Sequence, residues 1–103
     1  MSYRSATKLT FTPKFADLSE EQRLAEQVAA YEIVAKYGGE FEAQIVLLTD
    51  QVFLAVVSYP DEESSIKSHM AIQARGAYEL HSQRALSLEE LLQFQADAAA
   101  TAG

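Results

Sequence analysis

The pattern of hydrophobic and polar residues predicts four strands in this chain. In the first segment, residues 7–15, Leu9, Phe11 and Pro13 share one face, and lysine and threonine residues form the other. This period is typical of a half-buried strand, and Pro13 is expected to end it because proline lacks a backbone donor. Three further segments predict strands over residues 41–48, 52–59 and 78–86.

Apolar residues recur every three or four positions in three other segments, which predicts helices. The first helix, residues 20–37, begins at a capping box of Ser19 and Gln22 and ends at Gly38-Gly39. The second begins after Asp61 and runs to about residue 75. A second capping box, Ser87 with Glu90, begins a short C-terminal helix, and the alanine-rich residues 98–103 are expected to fray.

Each predicted helix has an apolar stripe, which in the first two helices is expected to face the core. The stripes are Leu24, Val28, Tyr31 and Ala35 in the first helix, Ile66, Met70 and Ala74 in the second, and Leu88, Leu91, Leu92 and Gln95 in the third. Ile33 and Tyr37 point away from the first stripe and are expected to be exposed or to meet a partner.

The hairpin over residues 38–59 is apolar on both faces near its turn, Thr49-Asp50-Gln51. Its first strand is expected to place Phe41, Ala43, Ile45 and Leu47 on one face. Its second strand places Val52, Leu54 and Val56 on one face, and Phe53, Ala55, Val57 and Tyr59 on the other. Helices cover only one face of a two-layer domain, so another chain is needed to cover the second. We therefore expect a homodimer or higher homo-oligomer, with Phe53 or Val56 in the interface, whichever faces the partner.

The order strand, helix, strand, strand, helix, strand, helix predicts a single ferredoxin-like α+β domain over residues 1–103. In this βαββαβ arrangement two helices lie on one face of a four-stranded antiparallel sheet, and a short C-terminal helix follows. Two copies packed sheet to sheet would form a dimeric α+β barrel.

Charge and composition exclude several classes of protein. Fifteen acidic residues stand against eight basic ones, the net charge is -7, and the bases are scattered singly, so neither nucleic acid nor an anionic membrane is an expected partner. The chain has no cysteine, which excludes disulfides, thiolate zinc sites and cysteine nucleophiles. No apolar run approaches the roughly 20 residues of a membrane helix, and no signal peptide follows Met1, so a cytoplasmic location is expected.

Aromatic and titratable residues supply one candidate ligand pocket, between the sheet and the helices. Its candidate lining residues are Tyr31, Tyr59, His69, Tyr78, His81 and Arg84. Such groups could polarise a carbonyl or move a proton in a cofactor-free monooxygenase or isomerase that acts on a small aromatic or carbonyl compound. The more frequent arrangement has tyrosines at the boundary between core and water, without catalysis.

Recognisable catalytic and metal-binding motifs are absent from the sequence. The two histidines have no Glu-x-x-His or His-x-x-x-His spacing, so we expect no metal and no other cofactor. The acidic pairs lie at helix starts, where capping and the helix dipole explain them. The sequence thus favours a domain that binds a small ligand or a partner over an enzyme.

Four features of the chain resemble the GYD-domain family of small bacterial and archaeal α+β proteins. They are the double glycine after the first helix, the apolar hairpin, Tyr59-Pro60-Asp61-Glu62-Glu63, and the Arg-Ala-Leu-Ser-Leu-Glu-Glu-Leu segment that begins at Arg84. At the hairpin turn, where the tripeptide that names the family falls, this chain has Thr49-Asp50-Gln51. The resemblance implies the fold and a dimer, and it assigns no functional residues. The wider group of dimeric α+β barrels, which includes cofactor-free monooxygenases and isomerases, is a more distant resemblance.

Overall fold

Four strands and four helices make up the computed structural model, which describes residues 2–103. The strands are β1 (Tyr3–Phe11), β2 (Glu40–Leu47), β3 (Val52–Tyr59) and β4 (Tyr78–Arg84). They pair antiparallel in the spatial order β2-β3-β1-β4. The helices are α1 (Pro13–Ala16), α2 (Glu20–Lys36), α3 (Glu62–Ala74) and α4 (Leu88–Ala102). This order and this sheet are those of the ferredoxin-like fold, so the predicted fold is confirmed.

The predicted helix starts are confirmed in detail. Ser19 and Ser87 each accept a hydrogen bond from the backbone three residues later and complete a capping box with Gln22 and Glu90. The Asp61 carboxylate accepts a bond of 2.7 Å from the backbone N–H of Ser64. Each cap satisfies a backbone donor that the first helical turn cannot pair.

The first strand lies four residues earlier than predicted. Thr12 caps α1, and its hydroxyl donates to the carbonyl oxygen of Gly76 at 2.6 Å. Pro13 then occupies the first helical turn, where its missing donor costs nothing. Residues 13–15 are therefore helical, and the ring of Phe15 stacks on Phe11 with 4.1 Å between centroids.

The core stripe predicted for α2 is wrong. Val34 is the buried residue, at 5% exposure, whereas Leu24 is 61% exposed and Val28 and Tyr31 are also exposed. Ile33 and Tyr37, which were expected to face outwards or a partner, pack against the core. The C-terminal half of α2 therefore lies on the sheet, while Leu24 and Tyr31 in earlier turns border an open cleft.

The core stripe predicted for α3 is also wrong, because polar residues form its buried side. Ser65, Ser68 and Ile72 are buried, whereas Ile66 and Met70 are exposed. Serine is small, so it lets the helix approach the sheet closely. The hydroxyl groups of Ser68 and Tyr59 satisfy each other at 2.9 Å.

A β-bulge changes the face assignment in β2. Phe41 pairs with Val57, and the next pair along the strand is Ala43 with Val56. The extra residue, Glu42, places Phe41 on the face that carries α2 and α3, while Ala43 and Ile45 lie on the opposite face. The expectation that Phe41 shares a face with Ala43 and Ile45 is therefore wrong.

Candidate functional site

A cleft of about 380 Å³ lies between α2, α3 and the sheet face that these helices cover. Phe11, Phe53 and Leu80 line it from the sheet, Leu24 and Val34 from α2, and Ile72 from α3. The cleft exists because the first turns of α2 stand away from the strands. Its walls are mostly apolar, with a few polar side chains among them.

Thr7 and His69 line the cleft and form, with the neighbouring Ser82, a polar group that we call the His69 cluster. Thr7 and Ser82 are cross-strand partners on β1 and β4, and their hydroxyl oxygens lie 2.8 Å apart. The Nε2 atom of His69 lies 3.3 Å from the Thr7 hydroxyl and 3.4 Å from the Ser82 hydroxyl. Each of these three groups can donate or accept a hydrogen bond. The His69 cluster can therefore bind either a carbonyl oxygen, which only accepts, or a hydroxyl, which also donates.

His69 is uncharged at neutral pH. Burial lowers the pKa of its imidazole below the ordinary value, since the charged form loses hydration there. Among the ion pairs of residues 2–103, none joins His69 to a carboxylate that would offset this effect. Its ring packs edge to face against Tyr59, with 5.9 Å between centroids. Nε2 therefore serves as a neutral hydrogen-bonding atom.

Two tyrosines contribute mainly their rings to the cleft. Tyr59 is buried, and its hydroxyl is already paired with Ser68. The ring of Tyr78 packs against Phe15 at 5.4 Å between centroids and against Phe11 at 5.9 Å. Burial raises the pKa of both tyrosine hydroxyls, so both stay protonated at neutral pH.

The mouth of the cleft is polar and exposed. The Tyr31 hydroxyl donates to Oε1 of Gln44 at 2.7 Å. Arg23 donates to the carbonyl oxygens of Phe15 and Ala16, and its guanidinium lies 5.3 Å from the Phe15 ring centroid. Two donors of the Arg23 guanidinium are thus used within the protein.

The structure brings together four of the six candidate residues named from the sequence. Tyr31, Tyr59, His69 and Tyr78 line the cleft, and His81 and Arg84 do not. His81 lies on the opposite face of the sheet, where its Nε2 is 3.4 Å from the carboxylate of Glu79. The guanidinium of Arg84 lies between the rings of Tyr3 and Phe94, at 5.9 and 5.7 Å from their centroids.

Sequence reasoning missed Thr7, Ser82 and Gln44. Thr7 lies two residues before Leu9 on the inward-facing side of β1, so extending the alternation by one step would have found it. Gln44 faces inwards because it pairs with Ala55 of β3, and only the pairing of the two strands gives it this position.

Within residues 2–103, no element covers the sheet face opposite α2 and α3, which we call the outer face. It carries Ala6, Ala43, Ile45, Leu54 and Val56, bordered by Lys8, His81 and Gln83. Of the two interface candidates named from the sequence, Val56 lies on the outer face, and Phe53 lines the cleft. Arg4 and Glu42 form an ion pair of 2.6 Å, and the Ser58 hydroxyl donates to Glu42 at 2.8 Å.

Two further features concern the described part of the chain. No three His, Asp or Glu side chains within residues 2–103 are grouped so as to hold a metal ion. None of the helices found there is long and apolar enough to cross a membrane.

Solved structures with a similar fold have widely different names. A 30S ribosomal protein S6 from Thermotoga maritima superposes with a TM-score of 0.61 at 9% identity, covering 96% of this chain and 99% of that one. A mutant chlorite dismutase from Candidatus Nitrospira defluvii gives 0.60 at 12% identity over 84% of this chain and 40% of that one. A homoserine dehydrogenase from Thiobacillus denitrificans gives 0.56 at 14% identity, over 82% of this chain and 17% of that one.

These likenesses show the fold alone, since the identities are low. This chain spans less than half the length of the dismutase and about a sixth of the dehydrogenase. No curated protein matches the sequence significantly. The family model of the GYD domain matches residues 7–94, which is most of the sequence. This chain therefore belongs to the GYD-domain family.

Proposed function

We propose that this domain binds a small, mainly apolar molecule in the cleft and acts by binding rather than by catalysis. The observation that carries the proposal is the cleft itself, whose 380 Å³ falls in the range typical of small-molecule sites. Apolar walls with a few inward polar groups are the usual composition of such sites. Binding is favoured over catalysis because no carboxylate of residues 2–103 pairs with His69 to orient it as a general base.

Fluorescence of N-phenylnaphthylamine, an uncharged probe that brightens in apolar surroundings, tests this proposal. We expect saturable binding to the wild-type domain. Ala30 lines the cleft from α2, and Ala25 lies exposed on the same helix. Ala30→Trp should therefore fill the cleft and weaken probe binding at least tenfold, while Ala25→Trp should leave binding unchanged.

A second cleft variant keeps the test decisive if Ala30→Trp fails to fold. Ala55 lines the cleft from β3, so Ala55→Leu should also weaken binding. Circular dichroism confirms that each variant is folded before its binding is compared. Equal binding by wild type and folded cleft-filling variants would contradict the proposal.

Neutral His69 favours one catalytic alternative, a cofactor-free monooxygenase or isomerase acting on a small aromatic or carbonyl compound. An unprotonated imidazole in an apolar cleft could remove a proton next to a ligand carbonyl and return it. Exchange of the α-hydrogens of a cyclic ketone in heavy water, followed by nuclear magnetic resonance, tests for the isomerase activity. Exchange that depends on His69 would support catalysis, and exchange no faster than in His69→Gln would oppose it.

The partner that we propose for the outer face is a second copy of this chain. Ile45 on that face is exposed, and so are Leu88 and Leu92 on α4. The side of α4 that carries Glu90 and Phe94 contacts Arg4 and Arg84 of the same chain, so the leucine side faces away from the sheet. A symmetric dimer, with two sheets packed as an α+β barrel, would cover apolar surface on both chains at once.

A further inference from the structure

We infer that the cleft takes an uncharged ring compound carrying one hydroxyl or carbonyl oxygen, and that the His69 cluster binds this oxygen. This inference rests on the proposed function, because it names the ligand class of the same cleft. Three properties of the cleft support it: the absence of a counter-charge away from the mouth, the aromatic walls, and the polar atoms of the His69 cluster.

A charged group deep in the cleft finds no ion-pair partner. The Arg23 guanidinium lies at the mouth and donates two hydrogen bonds, to the Phe15 and Ala16 carbonyls, and Glu20 is exposed at the first turn of α2. Among the described residues that line the cleft, these two carry the permanent charges. A carboxylate or ammonium group placed deeper would lose its hydration without gaining an ion pair, which is costly. The lining therefore favours an uncharged molecule.

The walls suit a flat ring. Phe11 stacks on Phe15 with an interplanar angle of 7° and meets Phe53 edge to face, at 5.4 Å between centroids. Tyr78 extends this group of rings along the sheet. Aromatic side chains offer large apolar area with specific stacking and edge-to-face geometries, so they favour ring compounds over flexible chains.

The His69 cluster offers polar atoms to a ligand oxygen. The Tyr59 hydroxyl is committed to Ser68 at 2.9 Å, and the Tyr31–Gln44 pair lies at the exposed mouth. Both contacts of the His69 Nε2 atom are long, at 3.3 and 3.4 Å. A ligand oxygen at the usual hydrogen-bond distance would therefore compete well with them. This cluster matches one ligand oxygen.

Displacement of N-phenylnaphthylamine by four matched naphthalene compounds tests the inference, in buffer with added salt that screens exposed charges. Naphthol should bind roughly two- to tenfold more tightly than naphthalene, as one net hydrogen bond predicts. Naphthoate and naphthylmethylammonium should both bind more weakly than naphthalene. Because the two ions have opposite charges, the protein's net charge of -7 cannot weaken the binding of both.

Substitution of His69 locates the effect. His69→Phe keeps a ring but removes the polar atoms, so naphthol should lose its advantage while naphthalene binds as before. His81→Phe, on the outer face, is the matched control and should change neither. Thr7→Val, which removes one hydroxyl of the cluster, should reduce the advantage of naphthol over naphthalene. This variant provides the test if His69→Phe does not fold.

The outcomes separate the inference from the proposed function. Failure of the probe to bind would overturn both. Probe binding with equal affinities for naphthol and naphthalene, or with either ion bound as tightly as naphthol, would overturn the inference and leave ligand binding in place. Retention of the naphthol advantage in both folded cluster variants would show that His69 and Thr7 do not bind the oxygen.

Discussion

The imidazole of His69 is partly withdrawn from water, and this makes the stability of the fold depend on pH. Burial lowers the pKa of His69 in the folded chain below the value of about 6.5 that an unfolded chain has. As pH falls through that value, the unfolded chain takes up the proton first, so the folded state loses stability. The contribution is complete above the unfolded pKa and declines below it.

Urea unfolding between about pH 7.5 and about pH 5.5 measures this loss. We expect the free energy of unfolding of the wild type to fall more steeply with acidification than that of His69→Gln, which cannot take up the proton. Glu26, Glu42 and other carboxylates titrate in both proteins, so their contribution cancels in the difference. His81→Gln, at an exposed histidine outside the cleft, is the matched control. Equal slopes for the wild type and His69→Gln would show that His69 is not withdrawn from water.

At the residue scale, the sequence indicated which side chains could bind or react with a ligand. It was a poorer guide to where those side chains lie in the fold. Tyr31, Tyr59, His69 and Tyr78 were named for their chemistry and are found in one cleft. Ser82 could not be singled out, because serine is common and only the pairing of β4 with β1 gives it a role. Arg84 falls outside the cleft because it lies beyond Ser82, at the end of the strand.

At the scale of elements, the junction between α2 and β2 depends on Gly39. A Cβ atom added at this position would lie 2.6 Å from Cγ1 of Val34 and 2.8 Å from Cε1 of Tyr59. Both neighbours belong to the buried core, so neither can move freely. Gly39→Ala should therefore lower the free energy of unfolding by about 1–3 kcal/mol, the usual cost of overpacking.

Urea unfolding of two further variants shows whether this cost arises from the contact with Val34. Val34→Ala removes the closer clash, so the double variant Gly39→Ala/Val34→Ala should lose less stability than the sum of the single losses. Gly103→Ala, at the exposed C-terminus, is the control and should leave stability unchanged. Additive losses would mean that Gly39 is required for another reason.

Local signals predicted where α2, α3 and α4 begin, but not which side of each helix is buried. Capping residues act within one turn, so Ser19, Asp61 and Ser87 identified their helices correctly. Burial depends on how a helix lies on the sheet, and two stripes with the same spacing are present in α2. The choice of Val34 over Leu24 is made by tertiary packing, which a single sequence does not encode locally.

At the scale of the whole molecule, the chain is more extended than one compact domain requires. Its radius of gyration is 16.2 Å, and its principal extents are 58, 30 and 19 Å. A compact domain of this length has a radius of gyration of about 13 Å. Helix α4 has no buried residue, so the rest of the chain covers little of it. This extended chain leaves a sheet face and a helix uncovered, and dimerisation would cover exposed surface of this kind.

Light scattering at micromolar concentration tests the dimer that we propose. We expect the wild type to have twice the 11.4 kDa of one chain. Val56 lies on the outer face of the central strand β3, so Val56→Glu would place a carboxylate between the packed sheets, where it could not be hydrated, and the mass should fall to that of one chain. Ala25→Glu adds the same charge on an exposed turn of α2 and should leave the dimer intact. A monomeric wild type would contradict the dimer. A dimeric Val56→Glu variant would show instead that the chains associate through another surface, for which the leucine side of α4 is the remaining uncovered candidate.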